Sequence, residues 1–129
     1  MSKKTIKGNG TIEWQNEKGQ LHRVDGPAIE LTNGTQIWYV NGQRHRVDGP
    51  AAEFYYDVQE WYMNGRLHRT DGPAVTGQGP QEWWVDGQRH REDGPAIIWP
   101  DGKKEWWIKN HRTDKKSAQH YMLIISYKE

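Results

Sequence analysis

The chain has 129 residues, of which 33% are hydrophobic and 27% charged, and 18 Lys and Arg balance 17 Asp and Glu to a net charge of +1. This balance argues against a protein that coats nucleic acid by charge alone. The lack of cysteine excludes a disulfide scaffold, a thiolate zinc site and a cysteine nucleophile.

Eight Trp, six Tyr and one Phe provide the large apolar surfaces from which a small core can be built. No apolar run is long enough for a membrane span, and no apolar signal segment follows the first lysines. We therefore expect a soluble, cytoplasmic protein with a single domain, residues 1–129, and no membrane span.

A repeat of 21–23 residues extends over residues 11–114. Four full copies contain His-Arg-x-Asp-Gly-Pro-Ala, beginning at His22, His45, His68 and His90. A degenerate fifth copy at His111 loses the Gly-Pro-Ala. This periodicity is typical of repeat proteins, and a decayed last copy is typical of a capping repeat.

Each repeat predicts two short strands joined by a tight turn. Asn-Gly and Asp-Gly pairs, such as Asn41-Gly42, favour type I′ hairpin turns. The Asp-Gly-Pro that follows predicts a bend, because proline has no N–H to donate to a neighbouring strand. The predicted strands before the turn are 37–40, 60–63, 82–85 and 105–108, and those after the bend are 28–31, 51–54, 74–76 and 96–99. We predict an all-β fold of about ten strands, in which a repeat array of antiparallel β-hairpins forms an elongated, twisted meander sheet.

Alternation along these strands assigns their side chains to two faces. One face is predicted to form the core, with these residues: Trp38, Val40, Trp61, Met63, Trp83, Val85, Trp106, Ile108, Ile29, Leu31, Ala52, Phe54, Val75, Ile97 and Trp99. The other face carries a second set of rings, here called the aromatic row: Tyr39, Tyr62, Trp84 and Trp107. Four exposed rings exceed the apolar patch that a monomer usually tolerates, so we expect the C-terminal tail, a second copy or a partner to cover them.

The sequence Asn41-Gly42-Gln43-Arg44-His45, which follows an aromatic strand at a 23-residue period, resembles the MORN repeat (membrane occupation and recognition nexus). The resemblance extends through Asn64-Gly65 and Asp86-Gly87. It implies aromatic-rich β-hairpins stacked in a single-layer twisted sheet, with a non-enzymatic role in assembly and partner binding. After the histidine, Arg-x-Asp-Gly-Pro-Ala replaces the Gly-x-Gly of that family, so the resemblance is to a MORN-like variant.

The repeated His, Arg and Asp residues are predicted to form a structural ladder. Equivalent histidines in adjacent repeats would lie about two strand spacings apart, roughly 9–10 Å, which is too far to share a metal ion. Arg and Asp two positions apart can pair on one face of a strand. We expect neither a metal nor a cofactor. The predicted ladder consists of His22, His45, His68, His90, Arg23, Arg46, Arg69, Arg91, Asp25, Asp48, Asp71 and Asp93.

The repeats favour binding over catalysis. An active site needs a unique arrangement of groups, whereas the acidic rows recur with the period, so we expect no enzyme and no catalytic residue. The aromatic row with Arg44, Arg66 and Arg89 favours a protein partner, because Trp, Tyr and Arg anchor protein interfaces. The alternative is sequestration of a nucleotide or short nucleic acid by ring stacking and arginine–phosphate contacts.

The most apolar segment lies near the C-terminus, at residues 118–127. It is compatible with a closing strand that covers the end of the array and with an amphipathic helix, and the sequence leaves both open. We expect residues 115–129 to close the array or to form a homodimer. The small size suits an accessory or inhibitor protein such as a phage carries.

Overall fold

The computed structural model describes residues 2–128, with side chains up to residue 126. Within this range the chain forms 17 short β-strands and one α-helix. It divides into two compact units, with the boundary between Arg66 and Leu67. The predicted all-β class, a meander of antiparallel hairpins, is confirmed.

The first unit contains an antiparallel sheet and a separate small hairpin. Its strands are β1 (Lys3–Ile6), β2 (Ile12–Gln15), β3 (Ile29–Glu30), β4 (Gln36–Ile37), β5 (Tyr39–Val40), β6 (Gln43–Arg44), β7 (Ala52–Phe54), β8 (Val58–Glu60) and β9 (Tyr62–Met63), and β10 (Arg66–Leu67) spans the unit boundary. The sheet order is β1-β2-β3-β4-β7-β8. β5 pairs with β6, which places Tyr39 opposite Arg44.

The second unit repeats this arrangement and adds a helix. Its elements are β11 (Val75–Gly77), β12 (Gln81–Glu82), β13 (Trp84–Val85), β14 (Gln88–Arg89), β15 (Ile97–Ile98), β16 (Lys104–Ile108), β17 (His111–Thr113) and α1 (Lys115–Lys128). The sheet order is β11-β12-β15-β16-β17. β13 pairs with β14, with Trp84 opposite Arg89.

The predicted strand 37–40 is interrupted at Trp38, and 82–85 is interrupted in the same way, which is why the strands are shorter and more numerous than predicted. The N–H of Trp38 donates at 2.7 Å to the carbonyl of Ala51, just before the sheet strand β7, whereas its carbonyl accepts at 3.1 Å from the N–H of His45, just after the hairpin strand β6. The tryptophan thus joins the sheet to the hairpin. In the last copy, β16 runs through Trp106 without interruption and pairs directly with β17.

The tight turns have the backbone geometry that the sequence predicts. Asn41 and Gly42 both have positive φ, 48° and 82°, as a type I′ turn requires. The last copy achieves the same geometry without glycine, since Lys109 and Asn110 have φ of 46° and 68°.

The most deeply buried side chains are small, and the predicted tryptophan core is wrong in this respect. The alanine of each full motif is 0% exposed: Ala28, Ala51, Ala74 and Ala96. The tryptophans of the predicted core face are only half-buried: Trp38, Trp61, Trp83 and Trp106. Leu31 and Trp99 are exposed, because each begins a turn whose backbone bonds hold it at the sheet edge.

The C-terminal segment is a helix, which decides between the two predicted alternatives. Asp114 caps the helix: its Oδ1 accepts the Ser117 N–H at 2.7 Å. Ala118 is buried, while Leu123 and Ile124 are 57% and 43% exposed. None of the described helical residues forms a segment long and apolar enough to cross a membrane.

Candidate binding surface

The arginine of each motif organises the loop that carries it. In the second motif, the Arg46 guanidinium carbon lies 3.9 Å from the centroid of the Trp38 ring. Its Nε donates to Asp48 at 3.1 Å, and its Nη1 donates to the Pro50 carbonyl at 3.1 Å. One planar cation therefore binds a ring, a carboxylate and a backbone carbonyl at the same time.

All three contacts recur for Arg23 and Arg91, and Arg69 repeats those with the aspartate and the proline carbonyl. Arg23 lies 4.3 Å from the Trp14 ring and Arg91 lies 3.9 Å from the Trp83 ring. The arginine–aspartate distances are 3.0 Å for Arg23 to Asp25, 2.9 Å for Arg69 to Asp71 and 2.8 Å for Arg91 to Asp93. The hydrogen bond from Arg69 lowers the pKa of Asp71.

The glycine of each motif leaves space for this guanidinium. A Cβ on Gly49 would lie 3.0 Å from Arg46 Cζ, and a Cβ on Gly94 would lie 2.8 Å from Arg91 Cζ. Neither glycine has positive φ. Each is therefore required by a close side-chain approach, whereas the sequence suggested only a turn.

Each motif histidine links its repeat to the next. The Nδ1 of His45 accepts the backbone N–H of Asn64 at 3.0 Å, and the Nδ1 of His22 accepts that of Asn41 at 2.9 Å. In the second unit, His68 and His90 accept from Asp86 and Lys109, at 3.0 and 2.9 Å. In the part of the chain that the structure describes, no group of three His, Asp or Glu is placed to hold a metal ion.

In the first unit, the aromatic row forms a cluster around Arg44. Its Nε and Nη1 lie 3.4 and 3.3 Å from the hydroxyls of Tyr39 and Tyr62, respectively. Tyr62 donates to Glu60 at 3.0 Å, and Glu60 lies 3.7 Å from Arg44. Burial, together with the charge of Glu60, raises the pKa of Tyr62. Burial alone would lower the pKa of Arg44, but its bonds to the two tyrosines outweigh that effect and raise it.

In the second unit, the row forms an equivalent cluster around Arg89. The guanidinium carbon lies 4.9 Å from the Trp84 ring and 5.0 Å from the Trp107 ring. Arg89 also pairs with Glu82 at 3.5 Å, and Trp84 Nε1 donates to the same carboxylate at 3.3 Å. A mostly buried carboxylate closes each cluster and holds its ring and its arginine in place.

Glu105 extends this second cluster towards the sheet edge. It accepts the indole N–H of Trp99 at 2.6 Å and that of Trp107 at 3.1 Å. The bond from Trp99, together with that from Trp107, lowers the pKa of Glu105 although burial opposes the shift.

These clusters bring together six of the seven predicted binding residues, three in each unit. The seventh, Arg66, is exposed and belongs to neither cluster. The rings are half-buried rather than open, because Arg44 and Arg89 lie against them. The sequence predicts a cover from the tail, a second copy or a partner, whereas the two neighbouring arginines supply part of it.

Sequence reasoning missed a second surface, on the motif loops of the first unit. A groove lies between residues 23–27 and 45–48, with Trp38 and Val40 among its lining residues. Val24 and Val47 belong to this lining and are 84% and 80% exposed. The available signal was the variable third position of His-Arg-x-Asp within otherwise constant motifs, occupied by Val24, Val47, Thr70, Glu92 and Thr113.

The comparisons with known proteins add no relative to this description. No family model, no curated protein and no solved structure matches the chain.

Proposed function

We propose that this chain is a MORN-like, non-enzymatic binding protein that engages a protein partner through the aromatic row and its arginines. The proposal depends on how Arg44 and Arg89 are held and on how much of each side chain is exposed. Each lies against two aromatic side chains, yet 32% and 34% of the respective side chains stay exposed. Side chains already fixed in the free protein lose little entropy on binding, and Tyr, Trp and Arg are the preferred anchors of protein interfaces.

The charges of the two clusters favour a protein partner over a nucleotide. Arg44 and Arg89 already pair with Glu60 and Glu82, at 3.7 and 3.5 Å. A phosphate would have to displace or approach these carboxylates, whereas a protein surface can match alternating charges. The experiment must therefore distinguish binding of a protein partner from sequestration of a nucleotide.

The proposal includes self-association through residues 115–129. The support is the exposure of Leu123 and Ile124 on α1, since large apolar side chains on an outer helix face favour contact with another surface.

Affinity capture from a lysate of the source cells tests the partner proposal. The double variant Arg44→Gln, Arg89→Gln removes both held cations and leaves the rings in place. A matched control, Lys18→Gln with Lys103→Gln, removes the same charge from exposed turn residues. We expect the wild type and the control to recover the same protein. The amount that the arginine variant recovers should be at least about tenfold lower, because an anchor residue of the interface is lost.

Two results would overturn this proposal. One is that the arginine variant recovers the same protein at the wild-type level, while the wild type, the control and the variant all have similar melting temperatures. The other is recovery of a nucleotide or oligonucleotide, identified by mass spectrometry, in place of a protein.

A further inference from the structure

The groove between the first two motif loops is open and partly apolar. We call it the valine groove: residues 23–27 and 45–48 with Trp38 and Val40. Val24 and Val47 stand on these loops almost fully exposed. Two exposed valines beside a half-buried tryptophan form a small apolar site that a helix side can cover.

The exposed charge at the valine groove is negative. Arg23 and Arg46 are mostly buried against their tryptophans, whereas the side chains of Asp25 and Asp48 are both 86% exposed. Glu30 and Glu53 add two further carboxylates, at 3.9 and 3.4 Å from these arginines. Each guanidinium group therefore has two carboxylate partners, of which the more exposed, Asp25 and Asp48, line the groove. The groove thus fits a ligand that carries positive charge.

In the second unit, a motif loop lies beside the helix α1. The loop of residues 91–95, together with Trp106, faces one side of α1. The helix residues on this side are Lys115, Ala118, Gln119 and Met122. They follow the spacing i, i+3, i+4, i+7 of one helix face. One face of α1, which begins with a lysine, therefore lines a cavity together with a motif loop, Lys104 and the tryptophan of the following copy.

The outer face of α1 presents a similar pattern. Lys116, His120, Leu123 and Ile124 follow the spacing i, i+4, i+7, i+8 and are all exposed. The helix carries no acidic residue. Its outer face therefore offers positive charge to the exposed carboxylates of the valine groove and apolar side chains to its valines.

We propose that the outer face of α1 from a second copy of this chain docks into the valine groove. This inference rests on the proposed self-association through the C-terminal segment and adds the site on the other copy. Lys116 would approach the carboxylates of Asp25 and Asp48, and Leu123 and Ile124 would cover Val24 and Val47. Two exposed apolar patches would be buried in one contact. Reciprocal docking gives a closed dimer, and one-way docking gives longer assemblies.

Sedimentation velocity on three forms of the full-length protein tests this docking. The variant Val24→Glu, Val47→Glu alters only the groove, and Leu123→Glu, Ile124→Glu alters only the helix face. We expect each change to raise the dissociation constant for self-association at least about tenfold, since burial of one valine or leucine is worth about that factor. Thr70→Glu, at the corresponding position of the third motif, is the matched control and should associate as the wild type does.

Mixing the two variants gives the decisive measurement. The mixture contains one intact groove and one intact helix face, so association should return although neither variant associates alone. A wild type that stays monomeric would overturn both self-association and docking. Association that depends on Leu123 and Ile124 but not on Val24 and Val47, or a mixture that stays monomeric, would overturn the docking site alone.

Discussion

Gly49 stands where the Arg46 guanidinium needs space, so a methyl group at this position must displace the cation from Trp38 or shift the loop. A Cβ would lie 3.0 Å from Cζ of Arg46. We expect Gly49→Ala to destabilise the protein by about 1–3 kcal/mol, the usual cost of overpacking. Thermal or urea denaturation measures this change.

Gly8→Ala is the matched control, because its Cβ would meet no atom within 4 Å. It should change the free energy of unfolding by no more than about 0.5 kcal/mol. In an Arg46→Ala background the cost of Gly49→Ala should largely vanish, since the two positions are coupled through one contact. If Gly49→Ala and Gly8→Ala lowered the free energy of unfolding equally, the close approach of Arg46 to Gly49 would not explain the effect.

The His45 ring contributes an acceptor to the next repeat. Its Nδ1 accepts the Asn64 N–H at 3.0 Å. His45→Ala should cost about 0.5–1.5 kcal/mol, as loss of one hydrogen bond does. His45→Asn should cost less, because Asn Oδ1 occupies nearly the same place relative to the backbone. A melting temperature for the Asn variant at or below that of the Ala variant would show that the ring acts by packing instead.

The residues that sequence reasoning predicted correctly are those whose role is local. Asn41 and Gly42 occupy a turn that only a few residue types tolerate, so the pair itself reveals the backbone. The need for Gly49 depends on the rotamer of Arg46, three residues away, and no local rule contains it. The exposure of Val47 also depends on how two loops face each other.

At the scale of the elements, the alternation of side chains predicts the positions of the strands but not how deeply their side chains are buried. It assigned Trp38 to an enclosed core, whereas the ring is covered by Arg46 and remains half-buried. The interruption of the strand at Trp38 follows from hydrogen bonds to two different partners, Ala51 and His45. Such a switch of partners has no signature in a period-2 pattern.

The helix α1 depends on its N-terminal cap, which leads to a prediction with a pH dependence. Asp114 accepts the Ser117 N–H, and this bond lowers the pKa of the carboxyl group below its usual 3.8. Because the folded-state pKa is depressed, the stabilisation is present above pH 3.8 and is lost as the pH falls through the lowered value. Asp114→Ala should reduce the helical circular dichroism signal at neutral pH.

Asp114→Ser is the control for this cap, since a serine hydroxyl can accept the same N–H without a titrating charge. It should keep the helical signal at neutral pH and make it less sensitive to acid. A helical signal that is unchanged in Asp114→Ala would show that packing of Ala118 and Met122 alone holds α1 in place.

At the scale of the whole molecule, backbone hydrogen bonds within each unit link one copy to the next. Within the first unit, the Arg23 N–H donates to the Tyr39 carbonyl at 3.0 Å, and the Gly42 N–H donates to the Leu21 carbonyl at 2.8 Å. Within the second unit, the Arg69 N–H donates to the Trp84 carbonyl at 3.0 Å. A chain built from nearest-neighbour contacts should lose stability locally when one copy is damaged.

Trp83→Ala tests this locality, because Trp83 carries the Arg91 guanidinium and joins sheet to hairpin in its copy. We expect a cost of about 3 kcal/mol, at the low end for tryptophan because the ring is half-buried. Hydrogen exchange should then accelerate about a hundredfold at the amides of His90 and Arg69, which donate to Trp83 and to Trp84. The Ala28 amide, which donates to Ile37 in the other unit, should change by less than about threefold. Equal acceleration at Ala28 would mean that the array unfolds as one cooperative body, and the contacts between neighbouring copies would then not set its local stability.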